Sequence, residues 1–260
     1  MNLNSIVKPN MNISRSINLD RDYRQEATIK DYHVTAKTLE ILSRFADSLE
    51  GEKVNAWSLT GPYGMGKSAF VNYLLTLTGP QNDSPTVIAL EKLKQSNKPL
   101  YNRLAKGLEQ VGGQAGFLRL PITAAYEPAN ISLARGLYNA IKSEQFKNKS
   151  KIMATLNHIL QSKAVESGDL FAVFQNVRDS IDMPMVIVID EFGKNLDFMS
   201  THHDRGDIFI MQQLAEMSSV YLWVCLHQAF DGYASGLSAL QRHEWSKVQG
   251  RFEDISFVES

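Results

Sequence analysis

"LTGPYGMGKSAFVNYLL", from Leu59 to Leu75, places three glycines within six positions and follows them with a lysine, a serine and an apolar run. The stretch fits G-x-x-x-x-G-K-[ST], with Gly61, Gly66, Lys67 and Ser68 at the fixed positions. Backbone N–H groups must converge to hold a phosphate, and side chains would block that approach. Glycine also tolerates positive φ at no steric cost. A helix starting at the last glycine adds its free N–H groups and the positive end of its dipole. In this reading Pro62, Tyr63, Gly64, Met65, Gly66, Lys67, Ser68 and Ala69 form a phosphate cradle. Lys67 neutralises the β and γ phosphates, and the Ser68 hydroxyl is a ligand for Mg²⁺.

The flanks have the order this requires. "VNAWSLT" (54–60) is short, apolar and β-prone, as a buried strand should be. Ala69, Phe70, Tyr73, Leu74 and Leu77 recur at helical spacing, and Gly79-Pro80 ends the run. The bland alternative is a glycine loop that matches the pattern by chance.

A metal-bound phosphate needs an acidic anchor. "MPMVIVIDEF" (183–192) contains the continuous apolar run Val186 to Ile189, the mark of a strand covered on both faces, and ends in Asp190 and Glu191. Ligands of open α/β sheets bind at the carboxyl ends of strands. Asp190 is therefore expected to hold Mg²⁺ directly or through water, and Glu191 to polarise the water that attacks the γ phosphate. A solvated acidic turn is the alternative.

The two motifs together resemble the AAA+ class of P-loop ATPases, in which they are the Walker A and Walker B elements. The resemblance implies a parallel five-stranded sheet in the order β5-β1-β4-β3-β2, with helices on both faces. It implies ATP as the nucleotide, since no guanine-reading motif is evident. The activity implied is Mg²⁺-dependent ATP hydrolysis coupled to conformational change or assembly. Two other readings stay open: a nucleotide-gated assembly switch with little hydrolysis, and a DNA-dependent ATPase.

Composition narrows the surroundings. Lys plus Arg is 27 and Asp plus Glu is 28, a formal net charge of −1. No global basic field points to nucleic acid, although a local patch could still bind it. Cys225 is the single cysteine, which excludes an intrachain disulfide and suggests no cysteine-based zinc site. No apolar stretch approaches the ~20 residues of a membrane span. The N-terminus lacks the apolar core of a signal peptide, so the expected location is cytoplasmic.

Residues 1–34 read as a polar, irregular arm, and 35–260 as the ATPase core with helical insertions at about 80–115 and 142–182. A helix from Thr35, capped by that threonine, buries Leu39, Leu42, Phe45 or Ala46, and Leu49 on one face. By the resemblance, Tyr32 and His33 ahead of it are candidates for wrapping adenine; a plain surface loop is the alternative. "FLRLPITAA" (117–125) reads as the second strand, with Pro121 arguing against a central place. "ISLARGLYNAI" reads as a helix, as do Leu170 to Ile181 and "IFIMQQLAEM". "KSEQFKNKSK" (142–151) is read as a solvated helix end and linker in preference to a nucleic-acid patch. "EFGKNLDFMSTHHDRGD" reads as a polar loop, in which His202, His203 and Asp204 could be imagined around a metal, although adjacent residues rarely point the same way.

"VYLWVCL" (220–226) is a further buried strand that delivers His227 and Gln228 to its carboxyl end. AAA+ proteins carry a polar sensor there, often Asn, Ser or Thr, so either residue is an imperfect match, with His227 preferred. "VQGRFEDISF" (248–257) resembles the segment in which a Gly-Arg-Phe sequence precedes the last strand. The resemblance makes Arg251 an arginine finger serving a neighbouring subunit, with Arg242 as runner-up, and hence implies a homo-oligomer. An ion pair of Arg251 with Glu253 or Asp254 is the alternative. No lid segment with a second sensor arginine is recognised, which fits a piece of a longer protein or a module without the lid. "LHQAF" and "QRHEWSKVQGRFEDISF" also resemble large bacterial ATPases of BREX-type phage-resistance systems, which would place the chain in antiviral defence.

Overall fold

Alternation along the strands divides the molecule into two cores. The computed structural model describes residues 18–52, 54–162, 165–202 and 207–258. Its strands are β1 (Ala56–Thr60), β2 (Leu118–Thr123), β3 (Met185–Asp190), β4 (Val220–Leu226) and β5 (Glu253–Ser256). Every pairing is parallel, and the order is β2-β3-β4-β1-β5. This is the expected order read from the other edge. β3 and β4 are buried along their whole length, which is why they are apolar without interruption. Pro121 sits in an edge strand, where its missing N–H costs no ladder bond.

Trp57, Leu59, Val186, Val188, Tyr221, Trp223 and Cys225 face one core, with Ile187, Ile189, Leu222 and Val224 facing the other. The first core is covered by α3 (Ala36–Leu49), α4 (Lys67–Leu77), α5 (Ser84–Ser96) and α6 (Lys98–Gly112). Trp57 and Trp223, partners in the β1–β4 register, stack at 4.2 Å, and Phe45 of α3 meets both edge-on. The second core is covered by α7 (Ala129–Ile141), α8 (Lys149–Ser162), α9 (Ser167–Ile181), α10 (Gly193–Thr201), α11 (Phe209–Ala215) and α13 (Ala239–Gln249). A short α12 (Phe230–Tyr233) links β4 to α13. Thr35 caps α3 as expected, accepting from the Thr38 amide. Both expected insertions are helical, as α5–α6 and α8–α9. Among the described residues no helix is long and apolar enough to cross a membrane.

Two expectations are corrected. The described part of the supposed irregular arm holds two short helices, α1 (Leu19–Asp22) and α2 (Glu26–Asp31). Leu19 and Ile29 are fully buried, and Tyr23 lies under the buried Arg119 guanidinium. A few spaced anchors fix a segment whose average is polar. The stretch after Glu191 is not a loop either but begins α10, because Phe192, Leu196 and Met199 recur at helical spacing and are buried.

Candidate functional site

Parallel register brings the strand ends level. Thr60 pairs with Leu226 and Ser256, and Thr123 with Asp190. The Gly61 amide continues the β1–β4 ladder by donating to the Leu226 carbonyl at 3.1 Å. The glycine-rich turn and the Asp190–Glu191 corner therefore emerge from the same edge of the sheet.

The glycines of the turn meet different needs. Gly64 and Gly66 have φ of +80° and +91°, which L side chains resist. Gly61 permits a close approach: a Cβ there would lie 2.6 Å from the Phe257 carbonyl oxygen. Phe257 follows β5 and donates its amide to the Thr60 carbonyl at 2.7 Å, so the chain after the last strand braces the turn. Gly66 is the N-cap of α4 and offers no side-chain cap. Among the described residues, no amide from Tyr63 to Ala69 donates to a protein acceptor.

Lys67 opens α4 and is 6% exposed. Its ammonium donates to the carbonyls of Gly61 and Pro62, the latter at 2.8 Å. Burial pulls its pKa below the ordinary lysine value, and the charge of Asp190 partly opposes that. Asp190 is buried, and its Oδ1 accepts from the Glu191 amide at 2.9 Å. Burial, followed by the charge of Asp190, pushes the Cys225 thiol well above its usual range, so it stays a thiol between the two charged groups. The half-buried Ser68 hydroxyl sits on the first turn of α4 and makes no hydrogen bond to another described residue.

Glu191 takes the left-handed conformation, φ +56°, at a cost of about 1–2 kcal/mol for a residue with a Cβ. Its carboxylate is ion-paired with Lys194, one turn along α10. That bond is the first cause of a raised Lys194 pKa, with smaller effects from Tyr63 and Asp190.

His227 lies at the same edge. Its imidazole stacks on the Tyr63 ring at 3.6 Å, and its amide donates to the Tyr233 hydroxyl at 3.4 Å. Both ring nitrogens are buried without a partner among the described residues. Burial first, and Lys67 second, hold its pKa below the ordinary imidazole value. The exposed Gln228 instead folds back over Gly232. Of the two sensor candidates, His227 is the one whose imidazole feels the charges of Lys67, Asp190 and Glu191.

The arginines are elsewhere. Arg251 precedes β5, at the opposite edge of the sheet, and is ion-paired with Glu216 rather than Glu253 or Asp254. Glu253 is taken by Arg44 and the Trp57 indole, and Asp254 by Ser58. Arg242 lines a groove of about 320 Å³ with Phe230, Asp231 and Trp245. Tyr32 stacks on Tyr73 at 4.3 Å and bonds Thr38 through its hydroxyl; His33 is exposed. Of the imagined metal cluster, His203 and Asp204 lie outside the described residues, and His202 stacks on Phe198.

Lys194, Tyr233 and Phe257 are additions that sequence reasoning missed. Lys194 had a signal, the i,i+3 spacing from Glu191, but it lies in the segment expected to be a loop. The Phe257 contact has no local signal.

The residues fit a triphosphate and its metal. Unpaired amides and a buried lysine match phosphate oxygens. Ser68 and Asp190 supply the hard oxygen donors that Mg²⁺ prefers. Among the described residues no group of three or more His, Cys, Asp or Glu is placed to hold a metal ion. No protein-family model matches the chain, and no curated protein matches it.

Proposed function

We propose that this chain is a Mg²⁺-dependent ATP-binding module of the AAA+-like P-loop type that hydrolyses ATP. The observation carrying this reading is the buried Lys67 ammonium at the head of α4, beside Asp190 and a run of unpaired amides. Lys67 exchanges the Gly61 and Pro62 carbonyls for phosphate oxygens. The amides from Tyr63 to Ala69 orient the phosphate chain, with the α4 dipole adding favourable potential. Ser68 and Asp190 would hold Mg²⁺, which supplies charge neutralisation on the phosphate oxygens. Glu191, released from Lys194, takes the proton of the attacking water, whose oxygen bonds the γ phosphorus as the bridging bond to ADP breaks.

What supports a role for Arg251 toward a neighbour is that its side chain is half-exposed and lies ahead of β5, away from the carboxyl ends of the strands. In this proposal it completes the site of an adjacent copy in a homo-oligomer. The test is calorimetric titration of wild type and Lys67→Ala with MgATP. Wild type should bind and the variant should lose at least tenfold in affinity; equal affinity would remove the site assignment.

A second reading, an assembly switch with slow hydrolysis, is favoured by the Glu191–Lys194 pair, which occupies the candidate base. Light scattering with and without ATP, beside phosphate release, separates the two. Assembly without turnover favours the switch.

A further inference from the structure

Nothing in phosphate binding calls for an aromatic residue at position 63. The cradle is made by backbone groups, and Tyr63 is 70% exposed on its rim. Its ring nevertheless lies nearly flat on His227, with centroids 3.6 Å apart and planes inclined by 25°. A histidine side chain is normally oriented through its ring nitrogens. Here neither nitrogen has a partner among the described residues. The backbone of His227 is held by the Tyr233 hydroxyl, which fits only because residue 193 is glycine: a Cβ there would lie 2.3 Å from that oxygen. The main chain is anchored, and among the described residues the aromatic contact that sets the plane of the ring is Tyr63.

We propose that Tyr63 is a positioning residue for His227, holding the imidazole plane toward the site of Lys67, Asp190 and Glu191. The inference rests on the ATPase reading for its kinetic consequence and on the stack for its structural one. The stack reaches across from the turn after β1 to the end of β4, so it ties the phosphate cradle to the candidate sensor. The charged groups whose fields reach His227 are Lys67, Asp190, Glu191 and Lys194, while the Tyr63 ring stacks on the imidazole and the Tyr233 hydroxyl accepts from the His227 amide. Removing the ring admits water to the imidazole and weakens the burial that keeps it neutral.

The experiment has two arms. In the nucleotide-free protein, the His227 imidazole is titrated by NMR in wild type, Tyr63→Ala and Tyr63→Phe. Tyr63→Ala should move its pKa toward the ordinary value, and Tyr63→Phe, which keeps the stack, should stay near wild type. An unchanged titration in Tyr63→Ala overturns the proposal, whatever the nucleotide result. In the second arm, MgATP turnover is measured for the same variants and in a His227→Ala background. Tyr63→Ala should lower kcat at least fivefold with KM changed less than twofold, Tyr63→Phe should recover most of the loss, and Tyr63→Ala should add nothing to His227→Ala. An equal loss in the His227→Ala background, or a change confined to KM, makes Tyr63 a ligand contact and overturns the positioning role. Absence of MgATP binding in wild type would overturn the ATPase reading and with it the kinetic half of the proposal. The first arm would then still decide the stack.

Discussion

Glu191 and Lys194 are ion-paired across the first turn of α10, so the candidate base begins with a cation on its carboxylate. Both side chains keep solvent access, at 28% and 45%, which places the pair among those worth about 0–1 kcal/mol. Lys194→Met should therefore raise basal turnover in the proposed ATPase by at most about fivefold, the factor that ~1 kcal/mol represents. Phosphate release at saturating MgATP measures it. A fall would mean that Lys194 supplies charge to the nucleotide instead of restraining Glu191.

Glu191→Gln separates binding from chemistry. The amide keeps the size of the side chain but cannot take a proton. General-base removal typically costs about 10²–10⁴ in rate. The variant should bind MgATP as wild type does and lose turnover on that scale. Retained turnover would strip Glu191 of its assigned role.

Gly61 and Gly64 should fail for different reasons when changed to alanine. At Gly61 the new Cβ would press on the Phe257 carbonyl, a backbone atom that moves only with the end of β5. Overpacking of that kind costs about 1–3 kcal/mol. At Gly64 the Cβ meets nothing within 4 Å, but φ of +80° is unfavourable by about 1–2 kcal/mol. Urea unfolding should show both variants destabilised. Asparagine, which tolerates positive φ better than alanine, should cost less than alanine at position 64 but no less at position 61.

The parts of the fold that depend on local periodicity were legible in the chain itself. Val220 to Leu226 is a strand over the stretch its apolar run marks, and the α4 region is a helix bounded by Gly66 and Gly79-Pro80. Strand order is a long-range property and came from the likeness of two motifs, not from spacing. The helix over 193–201 was missed because Gly193, Lys194 and Asn195 look like loop residues, although Asn195 is buried and binds the carbonyls of Ala125 and Glu127. α13 carries a Ser238–Gln241 capping box, a local signal that was readable and unused. The sequence favours His227 over Gln228 only by family likeness, and which of them meets Tyr63 was not legible. Two neighbours at a strand end differ only in what they touch, and Tyr63 lies far away in sequence.

His227 should also leave a mark on stability that needs no nucleotide. Burial and the adjacent Lys67 hold its folded pKa below the unfolded value of about 6.5. The unfolded chain then binds the proton more readily, so unfolding takes up protons in that window. Stability is fully present above the unfolded pKa and declines as pH falls through the window toward the folded one. His227→Gln removes the proton-binding group from both states. Melting temperature followed from pH ~7.5 to ~5 should fall less steeply in His227→Gln than in wild type across that range. Parallel curves would show that the imidazole titrates alike in the folded and unfolded chains, contrary to its unpartnered and covered position beneath Tyr63.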